Sequence, residues 1–197
     1  MKKVQKGSYG YLAWQKKASL IRTIVFFALS AAIYIMGILS TGSNKNLLTI
    51  VAVLGCLPAC KSAVGTIMFF RASGCSETAR EKIAAAVKMT ADMDYSGSLT
   101  EFYDMYFTSY KKNFPISHMV LKGNTICAYT ESGNCDCSAG EKHLEQMLVQ
   151  DGYKHLTVKI FNNLDKYIDR LGQLAKLDVE EHRSKAEIIR MFYSISL

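Results

Sequence analysis

Cys135 and Cys137 stand one residue apart, with Cys127 upstream and His143 downstream, and the four have the ligand types of a zinc site. Zinc-binding cysteine pairs are usually separated by about two to four residues, so a Cys-x-Cys pair strains tetrahedral geometry. The set reads more simply as reduced thiols in a loop and a strand, and no metal ligand is assigned. Asp104, His118 and His155 are polar residues expected inside strands. Acid–base catalysis by them requires the fold to bring them into one pocket. His143, between Glu141 and Glu145 on a helix, has the same requirement. The chain has no G-x-x-x-x-G-K-S/T, no G-x-G-x-x-G after a strand, no H-E-x-x-H and no G-x-S-x-G. No catalytic or cofactor-binding residue is therefore assigned, and Lys61, Asp104, His118 and His155 stand as polar candidates.

Most of these residues are positioned by the chain after Arg71, which reads as a small α+β domain over residues 72–197. Ser76 before Glu77 caps a helix that runs to about Ala91, and the polar run at residues 92–98 breaks it. Leu99–Tyr110 predicts a strand, with Tyr103, Met105 and Phe107 alternating against Phe102, Asp104 and Tyr106. A Lys-Lys-Asn-Phe-Pro break follows. Two short strands, Ser117–Lys122 and Thr125–Thr130, are then joined by Gly123-Asn124, which fits a type II′ turn. Residues 131–138 form a polar loop. Ser138 and Glu141 make a capping box for a helix to about Gln150, and His155–Phe161 alternates as a strand. Asn162-Asn163 caps a helix carrying Leu164, Tyr167, Ile168, Leu171 and Leu174. Asp178 and Glu181 form a second box for a last helix with Ile188, Ile189, Phe192 and Ile195. The predicted order is helix, three strands, helix, strand and two helices.

Upstream lie two apolar stretches, and they define the fold class: a membrane protein with an N-terminal two-helix transmembrane hairpin followed by the small cytoplasmic α+β domain. The hairpin covers residues 20–71, with legs at 20–40 and 46–70, after a basic and aromatic juxtamembrane segment at 1–19. About 20 apolar residues span a hydrocarbon core of about 30 Å, and no charged residue occurs from Thr23 to Asn44. Trp14, Lys16, Lys17, Arg22 and Arg71 are the expected interfacial anchors. Gly55, Ala59 and Ala63 make a small-residue ridge, with Ala28 and Ala32 as the matching pair, which predicts the helix–helix seam. Lys61 lies about 160° around the helix from that ridge. It is expected to snorkel to the headgroups, with a pore lumen or a second protomer as alternatives.

Charge supports this division. The chain's net charge of +7 is unevenly placed: the first acidic residue is Glu77, and nine Lys/Arg precede it. Residues 77–197 carry fifteen Lys/Arg against seventeen Asp/Glu. The basic character thus belongs to the membrane part, and nucleic acid is not an expected partner. The positive-inside rule places both termini in the cytoplasm and the turn outside. Cys56 and Cys60 lie in the second leg, and in the reducing cytoplasm Cys75, Cys127, Cys135 and Cys137 are expected to be free thiols.

The helix–three strands–helix–strand order resembles the core of restriction-endonuclease-like folds. Such nucleases carry an acid on the second strand and D/E-x-K on the third, whereas here those strands read SHMVLK and TICAYT. The resemblance implies a core without the metal site. The whole chain also resembles short two-helix membrane proteins of Gram-positive anaerobic bacteria, in its KGSYGYL lead, its NLLTIVAVLGCLPA second leg and its polar tail. That implies a bacterial inner membrane and transfers no functional residue. The resulting reading is a membrane-anchored interaction or regulatory protein without a cofactor. Its partners would be the bilayer, with its anionic inner leaflet, and a protein or second copy met through the hairpin or the last helix. The alternatives are a hydrolase or an inactive nuclease-like enzyme on an anchor, and a pore built from hairpins.

Overall fold

The computed structural model describes residues 4–43, 46–91, 99–110, 112–177 and 185–197. The break predicted at 92–98, Lys45 of the hairpin turn, and the cap predicted at Asp178 and Glu181 lie outside the described residues. The chain forms two compact units: Leu12–Ala72, and Met1–Tyr11 together with Ser73–Leu197.

The first unit is a hairpin of α1 (Tyr11–Thr41) and α2 (Leu47–Arg71). Both helices are long and apolar enough to cross a membrane. Their outward residues are left exposed, among them Ile24, Leu29, Val53 and Leu57. Asn46 caps α2 by accepting from the Thr49 N–H at 2.7 Å, and its Nδ2 donates back to the Gly37 carbonyl at 2.8 Å. Ala52, Ala59 and Thr66 are buried at seven-residue intervals on α2, with Gly55 and Ser62 between them. Opposite lie Ser19, Thr23, Phe26, Ser30, Ile33 and Gly37 on α1. Steps of three and four are the heptad spacing of a left-handed helix pair.

Small residues let these backbones approach: a Cβ on Gly55 would meet Ser30 Oγ at 2.9 Å. Three hydroxyls cross-link the seam. The Thr66 hydroxyl donates to the Ser62 carbonyl at 3.0 Å, so it accepts from Thr23 at 2.9 Å, and Ser62 in turn donates to Thr23 at 2.8 Å. Gly55 and Ala59 lie in this seam, whereas Ala28 and Ala32 are exposed on the outside and Ala63 is half-buried. The physical reason is drift. A ridge of strict four-residue steps rotates about 40° per step away from its partner, so Ser62 and Thr66 take the place expected for Ala63.

The second unit contains α3 (Glu77–Ala91), β1 (Thr100–Thr108), β2 (Asn113–Lys122), β3 (Thr125–Tyr129), α4 (Cys137–Gln150), β4 (Thr157–Phe161), α5 (Leu164–Ala175) and α6 (Lys185–Ile195). The sheet order is β1-β2-β3-β4; the first three strands are antiparallel, and β4 runs parallel to β3 across the α4 crossover. One sheet face buries Phe102, Met119, Ala128 and Ile160 against Leu144 and Leu148 of α4 and Ile188 and Phe192 of α6. The other buries Val120, Cys127 and Tyr129 against Ile83 of α3 and Tyr167, Leu171 and Leu174 of α5.

Four details depart from the sequence-based expectation. β2 begins at Asn113 and runs through Pro115. Proline is tolerated because β3 pairs with β2 only from His118 onward, so no second neighbour needs its N–H. β4 starts at Thr157, which leaves His155 in an exposed turn. The cap of α4 is Asp136, which accepts from the Ala139 N–H at 3.0 Å, not Ser138. Glu141, expected to complete a capping box, instead accepts from the Ile160 N–H at 2.9 Å and pairs with Lys159 at 3.0 Å.

Candidate functional site

β1 does not alternate regularly. Phe102 and Met105, three residues apart, both enter the same core, because Asp104 between them adopts φ +54°. Left-handed backbone costs a non-glycine residue about 1–2 kcal/mol, and hydrogen bonds made by the same side chain offset it. The Asp104 carboxylate is almost fully buried. Its Oδ2 accepts from the Gly10 N–H and its Oδ1 from the Cys75 N–H, both at 2.8 Å. Gly74 lies so close that a Cβ there would fall 2.7 Å from Oδ1. Gly10 immediately precedes α1, and Cys75 follows α2 by four residues. The two segments that adjoin the hairpin in sequence are therefore rooted on one buried carboxylate.

The segment before α1 is fixed along the free edge of β1. The Tyr103 N–H donates to the Gly7 carbonyl at 2.8 Å, and the Tyr9 ring meets Tyr103 edge-on at 6.2 Å. The Arg80 guanidinium sits 4.5 Å over the Tyr9 ring. Lys6 Nζ donates to the Tyr193 and Ser196 carbonyls at 2.7 and 2.6 Å, and burial lowers its pKa. Further along β1, Phe107 bridges to Ser196 and the Leu197 N–H donates to the Tyr106 carbonyl. The segment before α1 and the residues Ser196 and Leu197 thus cover an edge that would otherwise be open to pairing with other chains.

A second polar set crosses the sheet face under α5. His118 is fully buried; its Nδ1 lies 2.7 Å from the Tyr167 hydroxyl and its Nε2 3.2 Å from Glu101 Oε2. The Tyr103 hydroxyl also donates to Glu101, at 3.3 Å. One protonation pattern satisfies every atom: the neutral imidazole donates from Nε2 to the carboxylate and accepts the tyrosine O–H at Nδ1. Burial accordingly holds the His118 pKa below its ordinary value, although the Glu101 charge opposes this. The hydrogen bond from His118 lowers the Glu101 pKa, and burial raises that of Tyr167. Cys75 is pushed up to about 12 by burial and by the nearby Glu131 and Asp104 charges. A protonated thiol and a sealed phenol are poor nucleophiles. The chemistry available is a stabilising hydrogen-bonded chain, with Glu101 and Tyr103 at its partly open end.

The polar residues singled out in the sequence are engaged separately. Asp104 holds backbone amides, His118 holds Glu101 and Tyr167, and His155 is exposed in its turn. Cys127 packs in the core under α3 and α5, whereas Cys135 and Cys137 pack against the opposite core. His143 rests on the Phe114 ring at 5.5 Å. Among the described residues no group of three or more His, Cys, Asp and Glu side chains is arranged to hold a metal ion. On the hairpin, Trp14, Lys16, Lys17 and Arg22 lie on the first turns of α1, and Arg71 ends α2. Lys61 is exposed beside the seam residue Ser62 and lines a groove with Arg22.

Comparison of the chain with protein-family models, curated proteins and solved structures finds no match. Sequence reasoning missed Glu101, Tyr167, Gly10 and Cys75. Glu101 and Tyr167 carry a signal only as a pair, through the register that sets His118 between them. Gly10 and Cys75 contribute backbone N–H groups, which no residue type announces.

Proposed function

We propose that this chain is a membrane-anchored interaction or regulatory protein, with the hairpin in a bacterial inner membrane and the α+β unit in the cytoplasm. The observation that carries the proposal is the Asp104 clamp. A carboxylate is kept in strained backbone to hold the segments on either side of two membrane-length helices, which suits a domain built to carry both ends of an anchor. The nine Lys/Arg that precede the first acidic residue support the orientation with both termini inside. His118 and Tyr167, buried beneath the partly open Glu101, act in this reading as a rigid strut.

The β1-β2-β3-β4 order, with a crossover before the last strand, supports a restriction-endonuclease-like core as the scaffold. β2 and β3 contain no carboxylate, so that scaffold would serve binding and not phosphodiester hydrolysis.

The test is turnover by the full chain reconstituted in vesicles, assayed on phosphodiester, ester and peptide substrates with Mg²⁺, Mn²⁺ or Zn²⁺. Rates equal to those of His118→Asn and Glu101→Gln variants are expected. Turnover that either substitution abolishes, in a variant that remains folded, would overturn the proposal.

A further inference from the structure

Arg22 on α1 and Lys61 on α2 line one groove of about 290 Å³ on the hairpin, walled by Phe26, Pro58, Gly65 and Phe69. We propose that this groove binds the phosphate headgroup of an anionic glycerophospholipid, with an acyl chain along its apolar wall. The inference rests on the hairpin being in a membrane.

Charge argues first. No Asp or Glu occurs before Glu77, so the hairpin has no carboxylate of its own to pair with either cation, and no ion pair to Arg22 or Lys61 occurs among the described residues. Two uncompensated cations beside an apolar wall are costly in a bilayer unless an anion meets them, and a lipid phosphodiester is the anion present at that depth. A guanidinium can grip two of its oxygens, while an ammonium adds a point charge. Other donors are occupied, since Ser62 gives its hydroxyl to Thr23 and Ser19 gives its own to the Lys16 carbonyl. Recognition therefore falls on Arg22 and Lys61.

Shape argues second. Arg22 opens the uncharged run of α1 and Lys61 closes that of α2, so the two cations mark one level on an antiparallel pair. Gly65 leaves the groove open: a Cβ there would meet nothing within 4 Å. Zwitterionic lipid offers the same phosphate with its own cation attached, so two unpaired positive charges favour net-anionic lipid.

The test uses the full chain in vesicles of phosphatidylcholine alone or with phosphatidylglycerol, with lipid binding read from quenching by a headgroup-labelled phosphatidylglycerol and insertion read separately by flotation. Arg22→Gln and Lys61→Gln are each expected to weaken phosphatidylglycerol preference about fivefold, and the pair about 25-fold. Lys17→Gln should change it less, and Gly65→Leu should block it with both charges intact. Soluble glycerol phosphate at millimolar concentration should not displace the lipid; displacement would make this a site for free phosphate and overturn the lipid assignment. Flotation with phosphatidylcholine alone but no phosphatidylglycerol preference, or a preference untouched by Arg22→Gln, Lys61→Gln and Gly65→Leu, would also overturn it. Failure to float at all would instead refute the membrane reading on which it stands.

Discussion

Replacing Asp104 by asparagine tests how the α+β unit holds the chain on either side of the hairpin. The substitution keeps size and shape but removes the charge and turns one acceptor into an N–H₂ donor. One of the two backbone amides, Gly10 or Cys75, must then face a donor, while the other keeps a neutral bond. A hydrogen bond to a charged group contributes about 1.5–3 kcal/mol, and a neutral one roughly half as much. The loss should be about 3 kcal/mol, which corresponds to roughly 100-fold faster hydrogen exchange at the affected amides. Exchange of the full chain in micelles, followed by mass spectrometry, should show that acceleration at residues 8–10 and 74–76, while β2 and β3 change far less. Two further variants separate the carboxylate from the backbone. Asp104→Ala loses both bonds and keeps the φ +54° strain, whereas Asp104→Gly loses both bonds and releases it. The glycine variant should therefore be the more stable of the two by about 1 kcal/mol. Unchanged protection at Gly10 and Cys75 in Asp104→Asn, or an alanine variant more stable than the glycine one, would refute the clamp.

Gly74→Ala should destabilise the same unit by roughly 1–3 kcal/mol, since its Cβ would fall 2.7 Å from the Asp104 carboxylate; urea unfolding of the α+β signal measures it. Acid should weaken the unit in two stages. As pH falls below about 6.5, the unfolded chain protonates its His118 while the folded chain, where burial holds the pKa down, does not. A further loss follows below about 4.5, where the unfolded chain protonates Glu101 ahead of the folded one. Urea midpoints from pH 8 to pH 4 should fall accordingly, and His118→Asn should flatten the upper stage. On the hairpin, Ser30 Cβ lies 3.8 Å from the Cβ position of Gly55, within the usual disulfide range of about 3.5–4.5 Å. A Ser30→Cys/Gly55→Cys pair, with Cys56 and Cys60 changed to alanine, should oxidise to an intramolecular disulfide. An Ala28→Cys/Gly55→Cys pair should not.

The sequence revealed most of what depends on periodicity. Apolar runs of membrane length, the turn chemistry at Gly123, the Asn163 cap and the one-sided face of α5 all follow from side-chain patterns over several residues. Where the reading failed, local rules met a competitor. Two good caps lay two residues apart at Asp136 and Ser138, and the crossover strand drew Glu141 away from the cap. The seam followed a 3.5-residue repeat and not the four-residue ridge drawn through Ala28 and Ala32. Asp104 was legible as a strand carboxylate, but its partners are backbone amides about thirty and ninety residues away in sequence, which only the folded chain brings together. His118 was legible as a polar strand residue, and its pairing with Glu101 and Tyr167 depended on register.

The claim that most needs a direct measurement is that the two long helices cross a bacterial inner membrane with the α+β unit inside. Ser43, exposed in the turn between the helices, and Ser109, at the end of β1, provide the two reporters. Each would be changed to cysteine in the full chain, with Cys135 and Cys137 changed to serine. Intact cells would then be treated with a membrane-impermeant maleimide before and after permeabilisation. Labelling of Ser43→Cys in intact cells, and of Ser109→Cys only after permeabilisation, is the predicted result. Labelling of Ser109→Cys in intact cells, or protection of Ser43→Cys until the membrane is opened, would contradict it.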